Sequence, residues 1–165
     1  MHFYNHPKRK ILSLAQAGNL CIDKKYHSEK IVLTSGCFDL LHGGHLEYIY
    51  EAGKYGFLIV GINCDNFVKK LKGEKRPIRN EYDRALTMTG FFPVGAVVIF
   101  DCDYKLIECI QPNIYIASKT SHIRVYDDEK RMNLFNEFDT QVVELGAIKQ
   151  DSTTDIIKRA AASRN

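Results

Sequence analysis

What most constrains the fold of this chain is a set of short runs that are apolar on both faces. They lie at 31–35 (IVLTS), 57–62 (FLIVGI), 94–100 (VGAVVIF) and 114–117 (IYIA), and a short fifth strand is expected at 141–145 (QVVEL). A strand with one wet face alternates apolar and polar residues, so a run without alternation must be covered on both sides. Stretches with helical spacing stand between them. In 46–54, Leu46, Ile49, Tyr50 and Gly53 share one face; further helices are expected at 80–92, 104–110, 128–138 and 153–162, with Pro112 ending the third. This alternation predicts a parallel sheet with helices on both faces. The expected fold is a single α/β domain over 31–165, doubly wound and Rossmann-like, with a five-stranded parallel sheet. Residues 1–30 form an N-terminal extension carrying a helix at 11–17. A length of 165 residues suits one domain.

In sheets of this kind ligands bind beyond the carboxyl ends of the strands, at the switch point. The loop at 36–44 leaves the first run at that end. Gly36 lets the backbone leave the strand tightly. Gly43 and Gly44 clear side chains from the start of the next helix, where free amides and the helix dipole suit an anion. His42 and His45, three residues apart, face the same place. Two histidines at this spacing also suit a metal or an ordinary helix cap, but no third ligand stands nearby. A dinucleotide fingerprint is absent, because GxGxxG is missing.

Charge is concentrated. Residues 69–79 read KKLKGEKRPIR, with six basic residues and one acid, against a net charge of +3 for the chain, which leaves the remainder at −2. Mobile cations of this kind suit an anionic ligand. The patch is short and lacks interleaved aromatics, which argues against nucleic acid. The five cysteines include no CxxC pair and are odd in number, so neither a disulfide framework nor a four-cysteine zinc site is expected. Reduced cysteines and the lack of an apolar run near the ~18 residues of a membrane span point to a cytoplasmic protein without membrane contact.

The run Gly36-Cys-Phe-Asp39 followed by His42, Gly44 and His45, after a buried strand, resembles the cytidylyltransferase-like nucleotidylyltransferases and their HxGH phosphate motif. Within that superfamily the chain resembles the nucleotidylyltransferase domains of ADP-heptose synthases across nearly its whole length. The matching elements occur in one order: KILSLAQAG, IVLTSGCFDLLHGGH, Asn63-Cys-Asp65, Lys72-Gly-Glu-Lys-Arg76-Pro77, Glu81 to Arg84, and Ser152-Thr153-Thr154-Asp155. The resemblance implies a nucleotidylyltransferase of the HUP fold type. It implies transfer of AMP from ATP to a sugar phosphate such as heptose 1-phosphate, with release of pyrophosphate. Cytidylyl transfer to glycerol 3-phosphate or another polyol phosphate is the alternative, and a non-catalytic nucleotide-binding protein is a second.

Carried over residue by residue, His42, His45 and Lys72 are the expected catalytic residues. Ser35, Gly36, Cys37, Phe38, Gly44, Lys75, Arg84, Ser152, Thr153 and Thr154 join the histidines around the nucleotide. Arg84 either holds a phosphate or pairs with an acid, and Ser152 to Thr154 also cap the last helix. Asp39, Asp65 and Lys119 are expected on the acceptor side. Magnesium is expected to arrive with the triphosphate, held mainly by phosphates. A homodimer is implied as well. Two departures stand out. Asp151 replaces a neutral or apolar residue, and Ala117-Ser-Lys-Thr-Ser-His-Ile-Arg124 replaces a Gly-Gly-Asp or Gly-Asp-Asp element. Lys119, His122 and Arg124 there point to a more anionic acceptor or an altered site.

Overall fold

The computed structural model describes residues 6–119, 125–146 and 153–163. Its elements run β1 (Ile11–Leu12), α1 (Leu14–Tyr26), β2 (Ile31–Gly36), α2 (Gly43–Gly53), β3 (Phe57–Asn63), α3 (Asp65–Lys72), α4 (Glu81–Met88), β4 (Val94–Phe100), α5 (Asp103–Ile110), β5 (Ile114–Ser118), α6 (Glu129–Glu137), β6 (Gln141–Leu145) and α7 (Thr153–Ala162). The strands form one sheet in the order β1-β4-β3-β2-β5-β6, and every pairing is parallel. The chain winds outward from β2 to β3 and β4, then returns to place β5 and β6 on the other side. The switch point therefore lies between β2 and β5, where the loops leaving their carboxyl ends diverge.

The sheet has six strands, not the expected five. Ile11 and Leu12 pair with Val97 and Val98 at the β4 edge, where a helix over 11–17 was expected. A two-residue strand is too short to show a period of two, so the apolar pair merges with the helix behind it. The helix itself starts after Ser13. The Ser13 hydroxyl accepts from the Gln16 amide, and the Gln16 side chain accepts from the Ser13 amide. It continues to Tyr26 and buries Ala17, Gly18 and Cys21. A second departure is α3. Sequence patterning marks 65–72 only as a lysine-rich stretch, yet it forms a helix that buries Val68 and turns Lys69, Lys70 and Lys72 outward.

The core has a layer on each face of the sheet. Ile31 and Leu33 of β2 point toward α1, α5 and α6, among Leu106, Ile107 and Phe135. Val32 points the other way, toward Ile49 and Ala52 of α2 and Ala85 and Met88 of α4. Burying each of the larger of these side chains is worth about 1.5–3 kcal/mol. The sheet thereby becomes the rigid platform from whose carboxyl edge the site loops project.

One turn depends on glycine. Gly56 has φ +151°, and a Cβ there would overlap the carbonyl oxygen of Lys30. That oxygen accepts from the Phe57 amide at 2.8 Å, which sets the start of β3 against β2. Gly56→Ala is expected to cost about 1–3 kcal/mol. Urea unfolding should show a lower midpoint at unchanged slope; an unchanged midpoint would refute the steric argument.

Candidate nucleotide site

The loop that leaves β2 turns sharply. Gly36 makes room for the Phe38 ring, since a Cβ there would sit 3.0 Å from Phe38 Cε2. Phe38 adopts φ +44° and buries its ring. His42 is the N-cap of α2, in extended backbone, and its side chain makes no capping bond. The start of α2 is therefore not closed by its own cap residue. The rings of His42 and His45 lie 3.8 Å apart at 35°, and Phe38 meets the His45 ring edge-on at 5.5 Å.

Burial, and then the charges of His42 and Lys72, push the His45 imidazole down to about 4. It is neutral at neutral pH. Its Nδ1 is buried with no hydrogen-bond partner among the described residues. A neutral, stacked imidazole with an unused nitrogen, within the field of a lysine, is primed to hydrogen-bond an anion at the helix start. The Cys37 thiol is raised by burial, against the lowering fields of Lys72, Arg84 and Arg76. Lys72, the last residue of α3, thus lies within electrostatic reach of His45 and Cys37. Lys72 and Lys75 are exposed.

The structure sorts the remaining expected residues. Thr153, at the start of α7, donates its hydroxyl to the Leu40 carbonyl at 3.2 Å, which brings that helix onto the loop after β2. Ser35 is not brought to the histidines. It follows Ile31 and Leu33 on the α1, α5 and α6 face, its hydroxyl 2.9 Å from that of Tyr115, whereas α2 covers the opposite face. Arg84 pairs with an acid: Nη2 donates to Asp65 Oδ1 at 2.7 Å and to the Asn63 carbonyl at 2.8 Å. Its Nη1 bonds the Cys37 carbonyl and its Nε the Arg79 carbonyl. Arg84 is fully buried and Asp65 is committed to it.

Asp39 is likewise buried and accepts from Arg76, Ile78 and Arg79. Lys119 is exposed at the end of β5, its amide held by the Leu145 carbonyl at 3.1 Å. Ser152, Asp151, His122 and Arg124, and the side chain of Thr154, lie outside the described residues. No group of three or more His, Cys, Asp or Glu among the described residues has the arrangement of a metal site, and no helix among them is long and apolar enough to cross a membrane.

Sequence reading did not single out two sets of residues that shape the site. Arg76 is one; it stood inside the basic run, and the Arg-Pro turn was its only mark. The other is an ion-pair network behind the site. Arg131 Nη2 lies 2.9 Å from Asp103 and 3.6 Å from Asp128, and Tyr104 donates to Asp128 at 2.9 Å. It joins the start of α5 to the start of α6; Arg131 and Asp128 are three residues apart, but the links between the two helices span 24–28 residues, which no local spacing reveals.

Comparison with known proteins accords with this geometry. The family model described as Cytidylyltransferase-like matches residues 33–159. The chain is 46% identical over 114 residues to the Bifunctional protein HldE of Helicobacter pylori strain HPAG1, covering 67% of this chain and 24% of that protein. It is 50% identical over 91 residues to the Bifunctional protein HldE of Aliarcobacter butzleri strain RM4018, covering 53% and 19%. The match thus spans about a quarter or less of the length of these relatives. Among solved structures, the lipopolysaccharide core biosynthesis protein from Thermoplasma volcanium GSS1 superposes with a TM-score of 0.59 at 24% identity, over 74% of this chain and 99% of that one, a likeness of fold. With its HxGH loop, its α/β sheet and a family model matched over most of its length, the chain belongs to the cytidylyltransferase-like family.

Proposed function

We propose that the chain is a nucleotidyltransferase that moves AMP from ATP to a sugar phosphate, heptose 1-phosphate being the favoured acceptor, with pyrophosphate leaving. The observation that carries the reading is the pair of close-lying rings, His42 and His45, at the start of α2, within the field of Lys72. The choice of adenylyl and heptose rests on the order of ADP-heptose-synthase-like elements and on the HldE relatives.

In this reading an oxygen of the acceptor phosphate attacks the α-phosphorus in line. A new P–O bond forms to the acceptor, and the bond from the α-phosphorus to the bridging oxygen of pyrophosphate breaks. The acceptor phosphate is already a nucleophile at neutral pH, so the protein need not supply a base; its contribution is positioning and charge stabilisation. His42 and His45 donate hydrogen bonds to phosphate oxygens as charge builds on them. Lys72 and Lys75 neutralise the triphosphate. Magnesium bound to the triphosphate would neutralise the leaving pyrophosphate. The carboxylates of Asp39 and Asp65 are occupied by Arg76 and Arg84, which fits an ion carried by phosphate oxygens.

The test is pyrophosphate release with ATP or CTP against heptose 1-phosphate or glycerol 3-phosphate. ATP with heptose 1-phosphate should turn over fastest. The rival is CTP with glycerol 3-phosphate, and faster release from that pair would replace the reading. Nucleotide binding without release from any pair would make the chain a non-catalytic nucleotide-binding protein.

The His45 shift has a signed consequence. Its unfolded value is about 6.5 and its folded value about 4. Below about 6.5 the unfolded chain takes up the proton more readily, so this contribution to stability is whole above that pH and fades as pH falls toward 4. A bound anion favours the imidazolium and raises the folded value. Tripolyphosphate binding near pH 6 is therefore expected to take up to about one proton more in wild type than in His45→Asn. Calorimetry in buffers of different ionisation enthalpy reads this; equal buffer dependence in the two proteins would contradict it.

A further inference from the structure

The loop after β2 and the basic turn after α3 are separated by 37–40 residues in the chain, yet one carboxylate joins them. Asp39 is only 2% exposed. Its Oδ2 accepts from Arg76 Nε at 2.6 Å and from the Ile78 amide at 3.1 Å, and its Oδ1 from the Ile78 amide at 2.9 Å and the Arg79 amide at 3.1 Å. The Ile78 side chain is more than half exposed, and the Ile78 and Arg79 amides both donate to Asp39. Arg84 holds the turn from the far side through the Arg79 carbonyl.

The consequence for the lysines is geometric. Lys72 ends α3, and Arg76 is held by Asp39. Only Gly73, Glu74 and Lys75, all exposed, span the gap between these fixed points. Asp39 stands three residues before His42, in the loop that also carries Phe38.

We infer that Asp39 is a positioning residue. Through Arg76, Ile78 and Arg79 it ties the basic turn to the histidine loop, so that Lys72 and Lys75 meet the triphosphate already aligned with His42 and His45. This rests on the nucleotidyltransferase reading above, and it gives Asp39 a role other than acceptor or metal contact. The advantage is entropic: a tethered turn has its ordering cost met before the ligand arrives. Burial pushes the Asp39 carboxyl up, but the Arg79 and Ile78 amides and Arg76 outweigh it and hold the group below its usual range, as a permanent anion should be held.

The experiment compares wild type, Asp39→Asn, Arg76→Gln and the double variant. Asparagine keeps one acceptor oxygen and the shape but removes the charge opposite Arg76. Binding of inorganic tripolyphosphate is read by calorimetry, and amide exchange at Ile78 and Arg79 by NMR. Neither measurement needs an acceptor or a base. Asp39→Asn is expected to weaken tripolyphosphate about ten-fold and to speed exchange at both amides by a similar factor. In the assay the KM for ATP should rise while that for the acceptor holds. The double variant should be no weaker than the worse single one, because both changes cut one tie. If Asp39→Asn does not fold, Arg76→Gln carries the same expectations for binding and for the KM split. Faster exchange with unchanged tripolyphosphate affinity, or additive losses in the double variant, would overturn the tether alone. A wild-type protein that fails to bind tripolyphosphate would overturn the nucleotide site and the tether with it.

Discussion

Replacing His45 by alanine is expected to lower turnover by about 10²–10³-fold, the usual cost of deleting one preorganised transition-state donor. The same change should move stability little. The imidazole is half-buried against Phe38 and His42, and its Nδ1 has no protein partner among the described residues, so truncation breaks no bond at that nitrogen. The cavity left beside Phe38 is offset in part by relief of a buried polar atom. Loss of activity with a nearly native thermal midpoint is the combination to look for, in a pyrophosphate-release assay run beside a thermal melt. A variant that kept near-full activity would remove His45 from the chemistry. One that lost activity and fold together would make it a packing residue.

The contrast between His45 and its neighbours shows what sequence spacing can and cannot reveal. β2, β3 and β4 are legible because both faces of each are buried, and the same runs then locate the edge where ligands bind. The HxGH loop is legible because its chemistry is local: four consecutive positions place two imidazoles at one helix start. β1 is not legible, because two residues at a sheet edge carry no period, and its partners Val97 and Val98 lie far along the chain. The roles of Asp39, Asp65 and Arg84 are hidden for the same reason. A charged residue near a phosphate motif looks like a ligand until its long-range partner is known, and those partners are 19–47 residues away. Ser35 illustrates the alternation of a strand. One residue before Gly36, it points to the opposite face from α2, toward Tyr115. Acceptor choice stays least legible, since the departures from the family pattern fall at 117–124 and 151, mostly outside the described residues.

Arg84 carries the largest expected effect on stability. Its side chain is buried within the protein, and it donates to four acceptors: the carbonyls of Cys37, Asn63 and Arg79 and the carboxylate of Asp65. These acceptors come from the loop after β2, the end of β3, the start of α3 and the basic turn. One guanidinium therefore gathers four segments of the site. Arg84→Met nearly conserves volume but takes the guanidinium donors away from three backbone carbonyls and a carboxylate, and a loss of about 3–5 kcal/mol is expected. Asp65→Asn should cost less, about 1–2 kcal/mol, since the amide oxygen can still accept from Nη2 and the Asp65 side chain is 31% exposed and can be hydrated. The order Arg84→Met well below Asp65→Asn, read from urea midpoints at a common slope, distinguishes a buried organiser from a surface ion pair. Equal and small losses would mean that the guanidinium is hydrated in solution. Arg84 would then be free to turn toward a phosphate, as its place in the family motif first suggested, and the measurement would decide between the two roles.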